Sequence, residues 1–386
     1  MIHLPKNDPE TYEALADTVR GFADSEIRPI AEELDRTASF PRDLYSAMGE
    51  LGLFGITVPD ELGGSGMDVL AYSIVMEELA RGYASVADQC GVIELIGTLL
   101  TQYGTPEQQS KYMADVLAAR KIIAYCITEE EAGSDVAGLR TTASKTDDGW
   151  VLNGSKLWIH NAPVADVGFV LARTDPEACH RGMSIFIVDL HAEGVERGPK
   201  EHKLGQRASQ IGALSFADVK LPEGALLGEL NRGFYIMMSV LEKGRVGIAS
   251  LATGIGQAGL EAALEYAQQR KQFGKALVDH QGLQWMLADI AKDVAASRAL
   301  VRDAALRLDN GKPAGKACSI AKCFAGDMAV ARSSDALQIF GGSGYIQGFE
   351  VERLYRDAKI TQIYEGTNQI QRTIIGRELV KQGARD

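Results

Sequence analysis

Three stretches of different hydrophobic periodicity follow one another along the chain. Over the first 120 residues or so, apolar side chains recur at steps of three and four, as at Tyr12, Leu15 and Val19, which is the spacing of one face of an α-helix. Asp8 followed by Pro9 is typical of a helix N-terminus. Because such helices bury their apolar faces against one another, residues 1–120 are predicted to form a helical domain.

The pattern changes near residue 121, where short runs rich in β-branched and aromatic residues begin. The predicted strands are residues 122–128, 150–152, 156–159, 167–172, 183–190 and 213–221. Asn153-Gly154 between two of these runs indicates a type I′ hairpin. The runs leave no room for crossover helices, so an antiparallel barrel or sandwich is predicted for residues 121–230.

From about residue 231 to residue 386 the helical period returns. A stripe that starts at Leu283 stops at Asn310-Gly311, and the pattern of residues 317–340 stops at Gly341-Gly342, as expected for helix C-termini. Long helices with short connections predict a bundle. The fold class is therefore α+β and multidomain, in the order helical, β, helical.

Composition and charge narrow the possible functions. The 386 residues are 46% hydrophobic and 24% charged, as in globular proteins, and 40 basic against 52 acidic residues give a net charge of −12, which disfavours nucleic acid as a partner. Five cysteines without a CxxC pair favour reduced thiols. The longest uncharged run, residues 246–260, is too short to span a bilayer. We expect a cytoplasmic protein without a membrane span.

Two generic motifs have weak support. Gly254, Gly256 and Gly259 form a GxGxxG pattern with Asp279 about 20 residues on, which could indicate a nicotinamide dinucleotide site. No strand-to-helix turn surrounds the pattern, so close packing of one helix is the favoured interpretation. The six histidines show neither HxxxH nor HExxH spacing, and no metal site is predicted.

Five polar, glycine-bearing segments stand out from their surroundings. They are AYCITEEEAGSD (residues 124–135), KLWIHN (156–161), RKQFG (270–274), QIFGGSGY (338–345) and QIYEGTNQIQR (362–372). In this order and spacing they resemble the acyl-CoA dehydrogenase family over essentially the whole chain. The resemblance implies a helical N-terminal domain, a middle β-domain, a C-terminal four-helix bundle, bound FAD and a homotetramer built as a dimer of dimers.

The resemblance also implies an activity: FAD-dependent α,β-dehydrogenation of an acyl-CoA to the trans-2-enoyl-CoA, in the degradation of fatty or other carboxylic acids. The substrate's α-proton goes to a glutamate, its β-hydride goes to flavin N5, and the electrons pass to an electron-transferring flavoprotein. Glu365, in the sequence Tyr-Glu-Gly-Thr, matches the catalytic glutamate. Some members place this base on the helix that here carries Gly244, which cannot act, so Glu365 is the predicted base.

The remaining site residues follow from the same resemblance. The cofactor-binding residues are predicted to be Tyr125, Ile127, Thr128, Gly133, Ser134, Trp158, His160, Arg270, Gln272, Phe273, Gln281, Gln338, Gly341, Gly342, Thr367 and Gln369. Those from Arg270 to Gly342 are expected to serve an FAD held mainly by a neighbouring subunit. The substrate-binding residues are predicted to be Ser134, Ala87, Gly91, Glu242, Arg245, Tyr364 and Gly366.

Three positions depart from the family pattern. His160 stands where a threonine normally reaches flavin N5, and either contacts the flavin or turns aside. Glu130 and Glu131 replace Pro-Gly and add negative charge beside the cofactor, which is unfavourable unless both point to water. Ala87 and Gly91 are smaller than their counterparts in medium-chain enzymes, which predicts a deeper or wider pocket for a longer, branched or ring-bearing acyl chain.

Other functions stay open at this point. Within the same fold, His160 is compatible with a flavin-dependent acyl-CoA oxidase or an enoyl-CoA reductase. From other classes, the chain could be a non-catalytic binding protein or, through its GxGxxG pattern, a nicotinamide-dependent enzyme.

Overall fold

The computed structural model describes residues 4–383, and the chain begins with a helical region. Asp8 caps the first helix as predicted, its Oδ1 accepting a hydrogen bond from the Thr11 N–H at 2.8 Å. A π-helical turn, Ala23–Ile27, joins the first two helices. The helices are α1 (Pro9–Phe22), α2 (Arg28–Thr37), α3 (Arg42–Glu50), α4 (Val69–Tyr103) and α5 (Pro106–Leu117).

Helix α4 is broken at Tyr83, whose backbone is extended at φ −164° and ψ 120°. The two segments fold back on each other, since Met76 Cε of the first lies 3.5 Å from the position that a Cβ on Gly91 of the second would take. Residues 76 and 91 of one straight helix would be about 22 Å apart. Both segments are almost entirely buried, and they form the centre of the N-terminal region.

The middle of the chain forms one eight-stranded sheet, in the order β6-β7-β3-β2-β4-β5-β8 with β1 beside β4. Its pairing is antiparallel as predicted, except that β1 runs parallel to β4 and β2 meets β4 in parallel at one residue pair. The strands are β1 (Ile123–Cys126), β2 (Thr142–Thr146), β3 (Gly149–His160), β4 (Val167–Arg173), β5 (Met183–Asp189), β6 (Val195–Arg197), β7 (Ile211–Pro222) and β8 (Leu226–Leu227).

The hairpin predicted at Asn153-Gly154 is wrong. Both residues lie within β3, where the register against β7 shifts between Leu152 and Gly154, so the signal marks a bulge. Gly154 has φ +137°, and a Cβ there would lie 2.7 Å from Thr141 Cα, which explains the glycine. The turn between β2 and β3 is instead formed by Asp147 and Asp148.

The C-terminal region is helical, as predicted. The pattern stops where expected, because α7 has Asn310 as its C-cap and α8 has Gly341, with φ +59°. A small hairpin with Phe273 and Gly274 at its turn, both at positive φ, separates α6 from α7. The elements are α6 (Gly233–Gln269), β9 (Lys271–Gln272), β10 (Lys275–Ala276), α7 (Gln281–Asp309), α8 (Gly315–Phe340), α9 (Glu350–Ala358) and α10 (Asn368–Gln382).

The GxGxxG pattern lies inside α6 and is buried. A Cβ on Gly254 would lie 2.3 Å from the carbonyl oxygen of Glu77, and one on Gly256 would lie 2.9 Å from Met328 Sδ. These glycines allow α6 to pack closely against α4 and α8, so the close-packing interpretation is confirmed. Among the helices in residues 4–383, none is long and apolar enough to cross a membrane.

Candidate active site

A short loop between α9 and α10 carries Glu365, and hydrogen bonds from buried side chains hold the backbone of this loop. Glu365 and Gly366 both have positive φ, +53° and +87°. Gln371 Nε2 donates to the carbonyl oxygens of both residues, at 3.2 and 2.9 Å, and Lys322 Nζ donates to the Gly366 oxygen at 2.8 Å. Lys322 and Gln371 are fully buried, so the conformation of the loop is held by the protein interior.

The same loop leaves backbone donors free. Within residues 4–383, the N–H groups of Glu365 and Gly366 donate no hydrogen bond to any protein group. A backbone N–H that donates to no protein group is available to a ligand. Two adjacent free donors on a rigid loop suit the binding of an oxygen that gains negative charge.

The Glu365 carboxyl group is buried and has no hydrogen-bond partner at Oε2. Burial raises its pKa to about 7, with Arg245 and Lys322 opposing the shift and Asp88 adding to it. Gly244 of α6 provides the space, since a Cβ on it would lie 2.7 Å from Oε2. A carboxylate with a pKa near neutrality can take up and release a proton at cellular pH.

Helices α4 and α6 form walls around this carboxyl group. A Cβ on Gly247 would lie 2.1 Å from the Tyr72 hydroxyl oxygen, and one on Gly91 would lie 3.8 Å from the same atom. Leu95 Cδ2 is 3.2 Å from the Cβ position of Gly244. The space beside Gly91 is therefore bordered by Tyr72 and Met76, and Ala87 is fully buried one turn earlier.

Strand β3 brings Trp158 and His160 to the site. The strand bulges between Lys156 and Ile159, which gives Trp158 a φ of +54° and leaves its side chain 58% exposed. The Leu157 N–H donates to the carbonyl oxygen of Thr128 at 2.9 Å, so two of the predicted flavin segments lie side by side. His160 Nε2 is 3.6 Å from Asp88 Oδ2 and has no hydrogen-bond partner.

The loop after β1 is anchored by one glutamate. Glu129 is buried, and it accepts hydrogen bonds from Lys156 Nζ at 2.7 Å and from the N–H groups of Arg140 and Thr141. Glu130 and Glu131 are exposed, as the flavin loop requires, and Glu131 forms an ion pair with Arg140.

Several of the predicted residues therefore gather around Glu365. The Tyr125 hydroxyl donates to the Met237 carbonyl oxygen at 2.9 Å, and the charge of Glu365 contributes, after burial, to the raised pKa of Tyr125. Tyr364 accepts a hydrogen bond from Gln206 at 3.3 Å. Thr367 uses its hydroxyl to cap α10, while Gln369 is exposed, Ile127 is buried and Gly133 and Ser134 lie exposed in the loop.

The substrate residues predicted on α6, Glu242 and Arg245, are three residues apart and lie on one face of that helix, while Gly244 lies on a different face. Arg245 lowers the pKa of Glu365, which places its charge near the carboxyl group, and its Nε is buried without a partner. Glu242 points toward α8, where a Cβ on Gly315 would lie 2.9 Å from its Oε1.

A second group of predicted cofactor residues lies elsewhere. The Tyr266 ring stacks on Phe340 at the far end of α6, about 33 Å along the helix from Gly244. This end carries Arg270, Gln272, Phe273, Gln281, Gln338, Gly341 and Gly342, all of them exposed, with Phe273 at 95%. One chain does not bring these residues to Glu365.

The residues present fit an FAD. The Trp158 ring is exposed beside the loop after β1, and His160 Nε2 has no hydrogen-bond partner, as suits residues that would contact a flavin ring. At the far end of α6, added Cβ atoms on Gly341 and Gly342 would meet nothing within 4 Å, which leaves their backbone open to a diphosphate. Arg270 adds a planar donor suited to phosphate.

Sequence reasoning missed three residues of the site, Asp88, Lys322 and Gln371. Lys322 and Asp88 are charged residues within runs of small or apolar residues on predicted helices, and a buried charge of this kind is a signal for function. Gln371 gives no such signal, because its position matters only through the fold of the loop before it.

The fold and the residues of the site fit a flavin-dependent oxidoreductase. The family models for the acyl-CoA dehydrogenase N-terminal, middle and C-terminal domains match residues 9–120, 124–219 and 231–380. The chain belongs to the acyl-CoA dehydrogenase family, an FAD-dependent enzyme family.

Relatives of known name agree with this assignment. The chain is 43% identical to the short-chain specific acyl-CoA dehydrogenase of Bos taurus mitochondria, over 97% of this chain and 91% of that protein. It is 42% identical to the CarC subunit of the caffeyl-CoA reductase-Etf complex of Acetobacterium woodii, over 94% and 96%. The butyryl-CoA dehydrogenase structure from Megasphaera elsdenii superposes with a TM-score of 0.94, at 38% identity over 98% and 100%.

Proposed function

We propose that the protein dehydrogenates an acyl-CoA to the trans-2-enoyl-CoA, with Glu365 as the base. The observation that supports this best is the buried, unpartnered carboxyl group of Glu365, whose pKa lies near 7, on a loop with two free backbone donors. Removal of a proton from Cα needs a base stronger than a carboxylate in water, and burial supplies that strength.

Each group around Glu365 has its own role in the proposed reaction. The free N–H of Glu365 donates to the thioester oxygen and stabilises the enolate-like charge that forms as the α-proton moves to Oε2. Tyr72, Leu95 and Tyr364 enclose the acyl chain and exclude water. When bound, FAD supplies the acceptor for the hydride that leaves Cβ, so that the Cα–Cβ bond becomes double. Arg245 is proposed to bind the CoA arm.

The division of the cofactor residues into two groups supports an oligomer in which neighbouring subunits share the FAD sites, and we propose the homotetramer, a dimer of dimers, that the family resemblance implies. The group at the far end of α6 is exposed and cannot reach an FAD beside Glu365 of the same chain, so we assign it to the FAD of a neighbouring subunit. Phe273 and Tyr345, 95% and 85% exposed, are then covered by the partner. The likeness to CarC, a subunit of an Etf complex, supports an electron-transferring flavoprotein as the electron acceptor.

The test is anaerobic reduction of the bound flavin. We expect purified holoprotein to bleach its flavin absorbance when straight, branched or aromatic acyl-CoAs are added without another acceptor. Glu365→Gln should bind FAD and CoA esters as the wild type does but bleach at least 1000-fold more slowly, because the proton acceptor is gone while the shape is kept. Rapid bleaching by Glu365→Gln would show that another group is the base.

A further inference from the structure

Asp88 brings a second carboxylate to the space beside Glu365 that Tyr72, Met76 and Leu95 border, which we call the chamber. It lies on the second segment of α4, and its Oδ2 accepts a hydrogen bond from Ser209 Oγ at 2.6 Å and lies 3.6 Å from His160 Nε2. The side chains of Asp88 and His160 keep 16% and 17% of their exposure, although their neighbours Ala87, Gln89 and Cys90 are fully buried. The Asp88 carboxylate therefore faces an internal space.

The geometry of α4 shows that this space is the one beside Glu365. Asp88, Gly91 and Leu95 are three and four residues apart and lie on one face of the helix. Leu95 contacts the Gly244 position next to Glu365 Oε2, and Gly91 faces Tyr72. Asp88 is about 10 Å further along the same face than Leu95. Its charge contributes, after burial, to the raised pKa of both Tyr364 and Glu365.

The negative charge of Asp88 is offset by Lys203 only at a distance longer than an ion pair. Within residues 4–383, no lysine or arginine forms an ion pair with it. Lys203 is the nearest candidate, but its Nζ donates to the carbonyl oxygens of Gln206 and Ser209. Burial, reinforced by Lys203 and opposed by Asp88, lowers the pKa of His160, so His160 is neutral near pH 7.

A carboxylate that has no ion-pair partner and faces an internal space is costly unless a ligand satisfies its remaining acceptor positions. Met76 and Leu95 present apolar surface to the middle of an acyl chain and Tyr72 presents its hydroxyl oxygen, whereas Asp88 presents a carboxylate further along the same face of α4. A methyl group placed there would give the carboxylate no donor beyond the Ser209 hydroxyl. A terminal carboxylate would meet a like charge. A hydroxyl or an ammonium group would donate to it.

We propose that Asp88 is a specificity-determining residue, which selects acyl-CoA thioesters whose acyl group carries a hydrogen-bond donor at its far end and rejects those that end in a carboxylate. This proposal rests on the proposed function, since it assumes that the acyl group of a CoA thioester occupies the chamber of Glu365. It narrows the longer or ring-bearing substrates expected from Ala87 and Gly91 to polar members of those classes.

The first experiment compares matched thioesters on the Glu365→Gln holoprotein, which binds without turnover. Three series are titrated by calorimetry: valeryl-, 5-hydroxyvaleryl- and glutaryl-CoA; hexanoyl-, 6-hydroxyhexanoyl- and adipoyl-CoA; and 3-phenylpropionyl-CoA with its 4-hydroxy and 4-carboxy forms. In the series whose length reaches Asp88, we expect the hydroxyl form to bind 10- to 100-fold more tightly than the unsubstituted form, as for a hydrogen bond to a charged group. The carboxyl form should bind at least tenfold more weakly than the unsubstituted form.

The second experiment repeats the titrations with Asp88→Asn in the same background. Removal of the charge at constant shape should reduce the preference for hydroxyl over carboxyl at least tenfold. Glu94→Gln is the matched control, because Glu94 is a buried carboxylate on the same segment of α4 that is paired with Lys243 instead of facing the chamber. Its preference should stay that of the parent. Thermal melting and the flavin spectrum verify that each variant is folded.

The outcomes separate the two proposals. If none of the nine thioesters bleaches the wild-type flavin, the proposed dehydrogenation fails. If any of them bleaches it but no series prefers its hydroxyl form, only the role of Asp88 is overturned. A variant of Asp88 that does not fold leaves the wild-type preferences to decide, since a wild-type chamber indifferent to the terminal group is itself sufficient to reject the proposal.

Discussion

Two buried glutamates near the candidate active site have opposite surroundings. Glu129 accepts hydrogen bonds from Lys156 and from two backbone N–H groups, and these partners outweigh burial and hold its pKa below the ordinary value. Glu365 has no hydrogen-bond partner at Oε2, and burial raises its pKa to about 7. A buried acid that is fully satisfied anchors a loop, whereas one left unsatisfied remains available for a proton.

The largest effect is expected from exchanging the two acids for amides. Glu365→Gln should lose at least three orders of magnitude in flavin reduction while gaining stability. The pKa of Glu365 is about 7 in the folded chain, against an ordinary value of 4.5. Between these two pH values the folded state binds more protons than the unfolded state, so the folded protein loses stability as pH rises through this range. The variant should therefore be more stable than wild type at pH 8, by up to about 3 kcal/mol, and equal to it near pH 4.

Glu129→Gln provides the opposite case. Because its folded pKa is lowered, Glu129 contributes stability above its unfolded pKa that is lost on acidification, so the amide variant should be less stable than wild type at pH 8. Urea unfolding of wild type and both variants at pH 5 and pH 8 measures these differences in the free energy of unfolding. If both variants were more stable than wild type at pH 8, or both less stable, the two glutamates would not differ as described.

The next largest effect is on stability alone. Lys156 is fully buried against Glu129, and Lys156→Met leaves that carboxylate without its cation, at a cost of about 3–5 kcal/mol. The double variant Lys156→Met with Glu129→Gln should recover part of this loss, because the neutral amide needs no cation and its oxygen still accepts from the N–H groups of Arg140 and Thr141. Unfolding free energies of Lys156→Met, Glu129→Gln and the double variant give the coupling. A single variant as stable as wild type would mean that the pair is not what holds the loop.

The sequence predicts the fold better than it predicts which of the two glutamates has hydrogen-bond partners. Helix periodicity and capping residues locate the ends of α1, α7 and α8, because those signals are local. Asn153-Gly154 misleads, since bulges and hairpin turns both favour residues that tolerate positive φ. Whether Glu129 or Glu365 is partnered depends on Lys156 and Gly244, which are distant in the chain, so no local pattern contains the answer.

The two groups of predicted cofactor residues show the same limit of prediction from local sequence. Arg270 and Glu365 are identified together by family resemblance, yet Arg270 follows the end of α6 whose Tyr266 lies about 33 Å along the helix from Gly244, which borders Glu365. Sequence spacing reports the composition of a site and cannot report which subunit completes it.

A smaller effect separates charge from position at Glu365. Lys322 and Gln371 both hold the Gly366 carbonyl oxygen, but only Lys322 lowers the pKa of Glu365 by its charge. Lys322→Met should therefore shift the rise of flavin reduction with pH to higher pH, in addition to slowing it. Gln371→Leu is the matched control, because it loosens the same carbonyl without changing charge.

We expect Gln371→Leu to slow reduction while leaving the midpoint of the pH profile in place, as measured by anaerobic stopped-flow bleaching from pH 5.5 to pH 9. Asp88→Asn should move the midpoint in the opposite direction, to lower pH, since the Asp88 charge raises the pKa of Glu365. Equal midpoints in wild type, Lys322→Met and Asp88→Asn would show that neither charge acts on the base.

The smallest effect is expected from the two glutamates that follow Glu129 directly. Glu130 and Glu131 are exposed, and the ion pair of Glu131 with Arg140 joins two solvated side chains, which contributes little. Glu130→Gln and Glu131→Gln should each change the free energy of unfolding by less than about 0.5 kcal/mol at pH 8, where Glu129→Gln is clearly destabilised. A loss as large as that of Glu129→Gln in either variant would mean that the charge of the whole acidic run, and not the buried partners of one carboxylate, stabilises the loop.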